Sequence, residues 1–261
     1  MKLKMAIRIC VLSLVILGLS PLATSQNFPV TPNPNSEKTL ILFSPGTSNS
    51  KKVEKCLTKA TGVPRSMQAL EREGVHIHFL CSYAVDGNEP GSYIEKRKQE
   101  ILSKLRDFLR QGYQAKNIFL SGQSAGAWAS LTAMKDNNFE YFNAGILFAP
   151  ACCNPRDSVK KDPFWRKTMR PKLIMEILKA KDLSALVFVY PDDVYNRVPE
   201  MRFLKNHYPN TVTMFTYGCR QGHFTGYRDC AQFATTAIIR KYIELRKKDF
   251  EYRKELSRGT Q

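Results

Sequence analysis

Six short runs of aliphatic, β-branched and aromatic residues, at 39–43, 75–81, 117–120, 144–148, 185–190 and 211–216, alternate along the chain with longer stretches of helical periodicity. Runs this short and this continuously apolar read as strands buried on both faces, the condition a parallel sheet imposes. Their repetition predicts an α/β class domain: one mainly parallel sheet of about six to eight strands flanked by helices. Between the runs, residues 92–110 place Ile94, Ile101, Leu105, Phe108 and Leu109 near one face. Lys96, Arg97, Lys98, Lys104 and Arg106 fall largely elsewhere, so the pattern is an amphipathic surface helix stopped by Gly112. A similar pattern over 230–247 predicts a terminal helix. The segment 152–183 is longer than a crossover needs and holds Pro155, Pro163 and Pro171, so it reads as an inserted cap or lid with its own helix.

The amino terminus has a separate logic. Lys2, Lys4 and Arg8 precede an apolar run at 9–19, followed by Ser20-Pro21 and the small residues Ala23-Thr24-Ser25. This is the pattern of a secretory signal peptide over residues 1–25. The run is 11 residues long, whereas a spanning helix needs roughly 20, so no stable membrane span is expected. Residues 26–36, with three prolines at 29, 32 and 34, read as an extended lead-in, and the domain proper spans 37–261. The expected location is secreted or periplasmic.

Export bears on the cysteines and the charge. Of seven cysteines, six lie beyond the signal: Cys56, Cys81, Cys152, Cys153, Cys219 and Cys230. An even number in an exported chain points to disulfides, with Cys219–Cys230 and Cys56–Cys81 the favoured pairs and buried free thiols the alternative. Formal charge is +17 over the whole sequence and +14 without the leader's three cations. The basic stretches at 51–52, 96–98, 160–161 and 246–248 are dispersed and read mostly as solvated helix faces. No aromatic-interleaved basic motif is present, so no nucleic-acid partner is expected. Weak attraction to anionic lipid or polysaccharide suits an exported cation better.

The chemistry-bearing motif is Gly122-Gln123-Ser124-Ala125-Gly126, directly after the run at 117–120 and directly before an apolar helical stretch. In a strand-turn-helix elbow the serine is strained and its hydroxyl projects above the sheet's carboxyl edge, while glycines on either side allow close backbone approach. Candidate partners follow in order. Asp192-Asp193 comes just past the run at 185–190, and His223, within Gly222-His223-Phe224, comes after the last run. Asp193 is preferred to Asp192, and either suits the position. His76 and His78 alternate on a strand, but no third ligand stands at a recognisable interval, so they read as core or strand-edge residues and no metal is called for. His207 reads as a loop residue.

On these motifs the sequence resembles the α/β-hydrolase superfamily, most of all its smaller esterase, dienelactone-hydrolase-like and peptidase-like branches, over almost the whole mature chain. The resemblance implies that Ser124 is the nucleophile, His223 the general base, and Asp193 the group that orients the imidazole. It places one oxyanion donor on the Ala125 amide and the other on the loop after the first strand, at the Thr47 amide, with Gly46 next. This chain has Pro45-Gly46 where the superfamily often has a His-Gly pair.

The implied activity is a serine hydrolase cleaving carboxylic esters or related acyl bonds of small molecules through an acyl-enzyme, with no cofactor. Phe164, Trp165, Met169 and Met175 of the lid are candidates for an acyl pocket. Two other readings stand beside it: a catalytically silent hydrolase fold that binds an anionic envelope surface, and a small serine peptidase.

Overall fold

Residues 33–46, 62–82, 84, 91–136, 139–152, 164–216, 221–228 and 232–259 are described by the structure, a computed structural model. All lie in the second of the chain's two units, Asn33–Gln261. The signal peptide expected at 1–25 falls outside the described residues.

Six strands form: β1 (Leu40–Ser44), β2 (His76–Phe79), β3 (Ile118–Gln123), β4 (Ala144–Phe148), β5 (Ala185–Phe188) and β6 (Val212–Phe215). They hydrogen-bond in the order β2-β1-β3-β4-β5-β6, and every pairing is parallel. Parallel neighbours cannot be joined by hairpins, so each connection crosses a face. The helices are α1 (Arg65–Glu71), α2 (Tyr93–Arg110), α3 (Ala125–Met134), α4 (Arg170–Ile177), α5 (Val198–His207), α6 (Gln232–Lys248) and α7 (Phe250–Gly259).

The period-two alternation of the strands sorts their side chains into two cores. Leu40, Leu42, Ile118, Leu120, Leu147 and Val187 pack with Ile101, Trp128, Ile177 and Met201, one from each of α2 to α5. Ile41, Phe43, Phe119, Ile146, Phe148 and Phe188 pack on the opposite side with Met67 of α1 and Ile239 and Ile243 of α6. Burial on both sides is why β1, β3, β4 and β5 contain no exposed residue. The edge strands β2 and β6 are only partly buried.

Four local features depart from the sequence expectations. Strand β3 runs to Gln123, past the expected end at 120, because Ser121, Gly122 and Gln123 are polar or small yet buried in the ladder. Residues 33–36 form a turn rather than an extended lead-in: Asn35 Nδ2 donates to the Gln111 carbonyl at 3.0 Å, and Asn117 Nδ2 donates to the Ser36 carbonyl at 2.7 Å. A further helix, α7, follows the terminal one. His207 is the last residue of α5 rather than a loop residue.

Within the segment expected as a lid, residues 153–163 lie outside the described residues. The rest is a π turn, Trp165–Met169, that runs into α4. Ile177 of α4 is fully buried, and Tyr208 Oη donates to the carbonyls of Ile177 and Ala180 at 3.0 Å each. The helix thus covers the sheet as a crossover helix does.

The topology fixes where a site can form. From β1 the chain passes to β2 on one side, whereas from β3 it passes to β4 on the other. Connections that diverge in this way leave a crevice outside the carboxyl ends of the two strands. Ser44 to Gly46 and Gln123 to Ala125 occupy those two ends.

Candidate active site

At the end of β3 the backbone of Ser124 adopts φ 55° and ψ −122° before α3 begins. A side chain with a Cβ is disfavoured there, at a cost of about 1–3 kcal/mol, so the conformation needs enforcement. Three backbone hydrogen bonds supply it. The Ser124 N–H donates to the Phe148 carbonyl at 3.1 Å, and the Ser124 carbonyl accepts from Trp128 N–H at 3.0 Å and Ala151 N–H at 3.2 Å. The flanking glycines are required by contact. A Cβ on Gly126 would lie 2.0 Å from the Ser44 carbonyl oxygen, and one on Gly122 would lie 2.6 Å from the Gly126 carbonyl carbon. The two strand ends therefore touch backbone to backbone. Ala125 opens α3, where its N–H has no intrahelical acceptor.

The acid and the imidazole follow β5 and β6. After β5 the turn closes with Asp193 N–H donating to the Tyr190 carbonyl at 3.1 Å, and the Asp193 side chain is fully buried. Its Oδ1 accepts from Tyr195 N–H at 2.7 Å, and its Oδ2 lies 2.8 Å from Nδ1 of His223. His223 sits in a 3-10 turn, Gly222–Tyr227, and is itself buried. Asp192 points elsewhere: its Oδ2 accepts from the Gly222 N–H at 2.8 Å and braces the loop that carries the histidine. The two neighbouring aspartates thus have different partners.

A carboxylate facing Nδ1 fixes the neutral tautomer with its proton there and leaves a lone pair on Nε2. Nε2 is buried and has no hydrogen-bond partner among the described residues. The Tyr195 ring packs against the imidazole at 4.4 Å between centroids. Gln123 Nε2, one residue before Ser124, donates to the His223 carbonyl at 3.4 Å. The arrangement supplies a strained hydroxyl, an oriented imidazole and a buried carboxylate at one sheet edge.

Of the oxyanion candidates, Ala125 lies at this edge and Thr47 lies outside the described residues. Gly46 stands beside the serine: a Cβ built on it would be 3.2 Å from Ser124 Cβ. Three nearby residues escaped the sequence reading. Gln123 was only a variable position in the motif, and Tyr195 carries no signal. Arg97 fell among the solvated cations, yet it is buried at 3% exposure. The signal was present, since Ile94, Arg97, Ile101, Leu105 and Phe108 fall at three- and four-residue intervals and all are buried. Lys96 and Lys98 on either side masked it.

The other candidates sort plainly. His76 Nδ1 lies 2.8 Å from Tyr113 Oη, and His78 stacks edge-on against Phe108. No group of three or more His, Cys, Asp or Glu that could hold a metal occurs among the described residues. Phe164 and Met175 are exposed, Met169 packs on the first core, and the Trp165 side chain lies outside the described residues. No helix among the described residues is long and apolar enough to cross a membrane.

No protein-family model matches the sequence, and no curated protein matches it. Solved structures do. Esterase 2 of Thermogutta terrifontis, phosphonylated by sarin, superposes with a TM-score of 0.55 at 14% identity, over 80% of this chain and 84% of that one. DcsB in complex with its substrate analogue gives 0.59 at 11% identity, over 81% and 92%. The monoacylglycerol lipase of Paleococcus ferrophilus gives 0.53 at 11% identity, over 78% and 93%. Together with the six-stranded parallel sheet, these likenesses show the α/β-hydrolase fold.

Proposed function

We propose that this α/β-hydrolase fold carries a serine hydrolase that cleaves carboxylic esters or related acyl bonds of small molecules. The observation that carries the reading is the buried Asp193–His223 pair, 2.8 Å apart, whose Nε2 is left without a hydrogen-bond partner at the sheet edge that also carries the strained Ser124. In the proposed reaction the Ser124 oxygen attacks the acyl carbon while its proton passes to His223 Nε2. Asp193 stabilises the imidazolium that results, and it remains ionised. The proton then goes to the leaving alcohol as the carbonyl reforms on an acyl-Ser124. Water, deprotonated by the same imidazole, attacks the acyl-Ser124 ester; the acyl–Oγ bond breaks, the imidazolium returns its proton to Oγ, and the acid leaves. The Ala125 amide and an amide of the loop after β1 stabilise the oxyanion in both tetrahedral steps.

Two features fit an ester substrate. Val194 and Phe224 follow the acid and the histidine directly and are 47% and 57% exposed, which gives the rim an apolar character suited to an acyl chain. The superposing structures include an esterase and a monoacylglycerol lipase. The segment 152–183 is proposed as the element that selects the chain.

We also propose export, on the leader pattern at 1–25, with disulfides among the six remaining cysteines. A cationic exported protein would be drawn weakly to anionic envelope polymers.

The test is turnover of p-nitrophenyl esters of rising chain length beside chromogenic peptides. Ester hydrolysis that is lost in Ser124→Ala is the expected result. Turnover of peptides alone would transfer the site to peptidase chemistry, and inertness toward both would favour a silent binding protein.

A further inference from the structure

The guanidinium of Arg97 is buried against the start of the loop that follows β1. Its Nη1 donates to the Pro45 carbonyl at 2.6 Å, and its Nη2 reaches the Gly46 carbonyl at 3.5 Å. The side chain is 3% exposed, and its ring neighbour is Tyr93, one turn earlier on α2. Burial pushes its pKa down, with the Glu100 and Tyr93 charges opposing that shift only in part. A cation taken out of water to bind two neutral carbonyls is a costly way to brace a loop, because two amide donors would do so without desolvating a charge.

The geometry of the peptide unit gives a reason. In a planar trans peptide the C=O and the following N–H point in opposite directions. Drawing the Pro45 carbonyl back onto Arg97 therefore aims the Gly46 N–H forward, away from α2. Gly46 adjoins the serine, since a Cβ on it would sit 3.2 Å from Ser124 Cβ and 2.5 Å from Gln123 Oε1. The Gly46 N–H has no acceptor among the described residues. Pro45 has no N–H of its own, so it offers the loop no competing donor.

We infer that Arg97 is a positioning residue for the oxyanion site: by holding the carbonyls of Pro45 and Gly46 behind the loop it presents the Gly46 amide to the oxyanion formed on Ser124. The inference rests on the proposed hydrolase reading.

The experiment compares wild type, Arg97→Met and Arg97→Gly with p-nitrophenyl acetate as substrate and phenylboronic acid as a probe that forms an anionic tetrahedral adduct on serine. In Arg97→Met, kcat falls about 100-fold, the scale of a one-ångström misplacement of a catalytic group. KM stays within about twofold, since the ground-state ester carries no oxyanion. Boronate affinity falls in parallel with kcat, and millimolar guanidinium chloride, but not sodium chloride, restores turnover to Arg97→Gly. Circular dichroism identifies the folded variants, and the Gly variant decides the matter if the Met variant does not fold. Unchanged kcat in a folded variant, or a loss confined to KM with boronate affinity intact, overturns the inference while leaving the hydrolase reading in place. An inert wild type removes the hydrolase reading itself and this inference with it.

Discussion

The two ends of the sheet are built on opposite principles. At the amino-terminal end a buried cation is paired: Arg253 of α7, at 7% exposure, donates to Ser184 Oγ at 3.0 Å, to Asp249 Oδ1 at 2.8 Å and to the Asn143 side chain. Asp182 completes that group at 3.6 Å, and Asn143 Nδ2 donates to the carbonyls of Lys116 and Arg246. At the carboxyl end a serine is held at positive φ, an imidazole nitrogen is buried without a partner, and apolar rim residues face solvent. The strained serine and the unpartnered imidazole nitrogen lie at one edge, and the paired arginine lies at the other. That division separates what stabilises the fold from what the fold is for.

The sharpest way to break the comparison is a change at the carboxyl edge that spares stability. Asp193→Asn keeps the shape of the pair and loses the charge and tautomer control, so kcat for an ester falls about ten-thousand-fold with the unfolding midpoint nearly unchanged. Steady-state kinetics beside thermal unfolding checks both halves. The converse change is Arg253→Met, which leaves Asp182 and Asn143 without their buried partner. It should cost about 3 kcal/mol in urea unfolding with kcat for the remaining folded enzyme unaltered.

How the sequence disclosed these edges differs in kind. The strands were legible because runs such as Leu40-Ile41-Leu42-Phe43 face two cores and leave no polar alternation to confuse with a helix. The elbow was legible because its glycines are fixed by backbone contact, which leaves a short motif. Arg97, Tyr195 and the Asn143–Arg253 network were not, because their partners lie 51 or more, 28 and 110 residues away or act through stacking, and no local spacing encodes such pairings. Helix α7 was missed because Asp249 interrupts the pattern of α6, while its N–H donates to the Leu245 carbonyl and keeps the chain helical enough to restart.

A smaller effect isolates the strain. Ser124→Gly should be more stable than Ser124→Ala by about 1 kcal/mol, because glycine adopts the elbow's positive φ without penalty and both variants lack the hydroxyl. Equal stability of the two would remove strain from the comparison. The smallest effect lies on the surface between α3 and α4, where hydrogen bonds from Lys135 and Lys179 hold the Glu176 carboxyl down to about 2 from its ordinary 4.5. A depressed carboxyl pKa contributes stability above pH 4.5 that is lost as pH falls toward 2. Glu176→Gln should therefore flatten the acid limb of the unfolding midpoint in that window, and the effect should shrink with added salt.

The central claim is that the hydroxyl at the elbow is a nucleophile activated by the histidine beside the buried aspartate. Intact-mass analysis of the purified protein after exposure to a fluorophosphonate tests it most directly. The account predicts one covalent phosphonyl adduct, mapped by peptide fragmentation to Ser124, with none in Ser124→Ala and strongly slowed labelling in His223→Ala. An unmodified folded protein, or an adduct mapped to another residue, would contradict it.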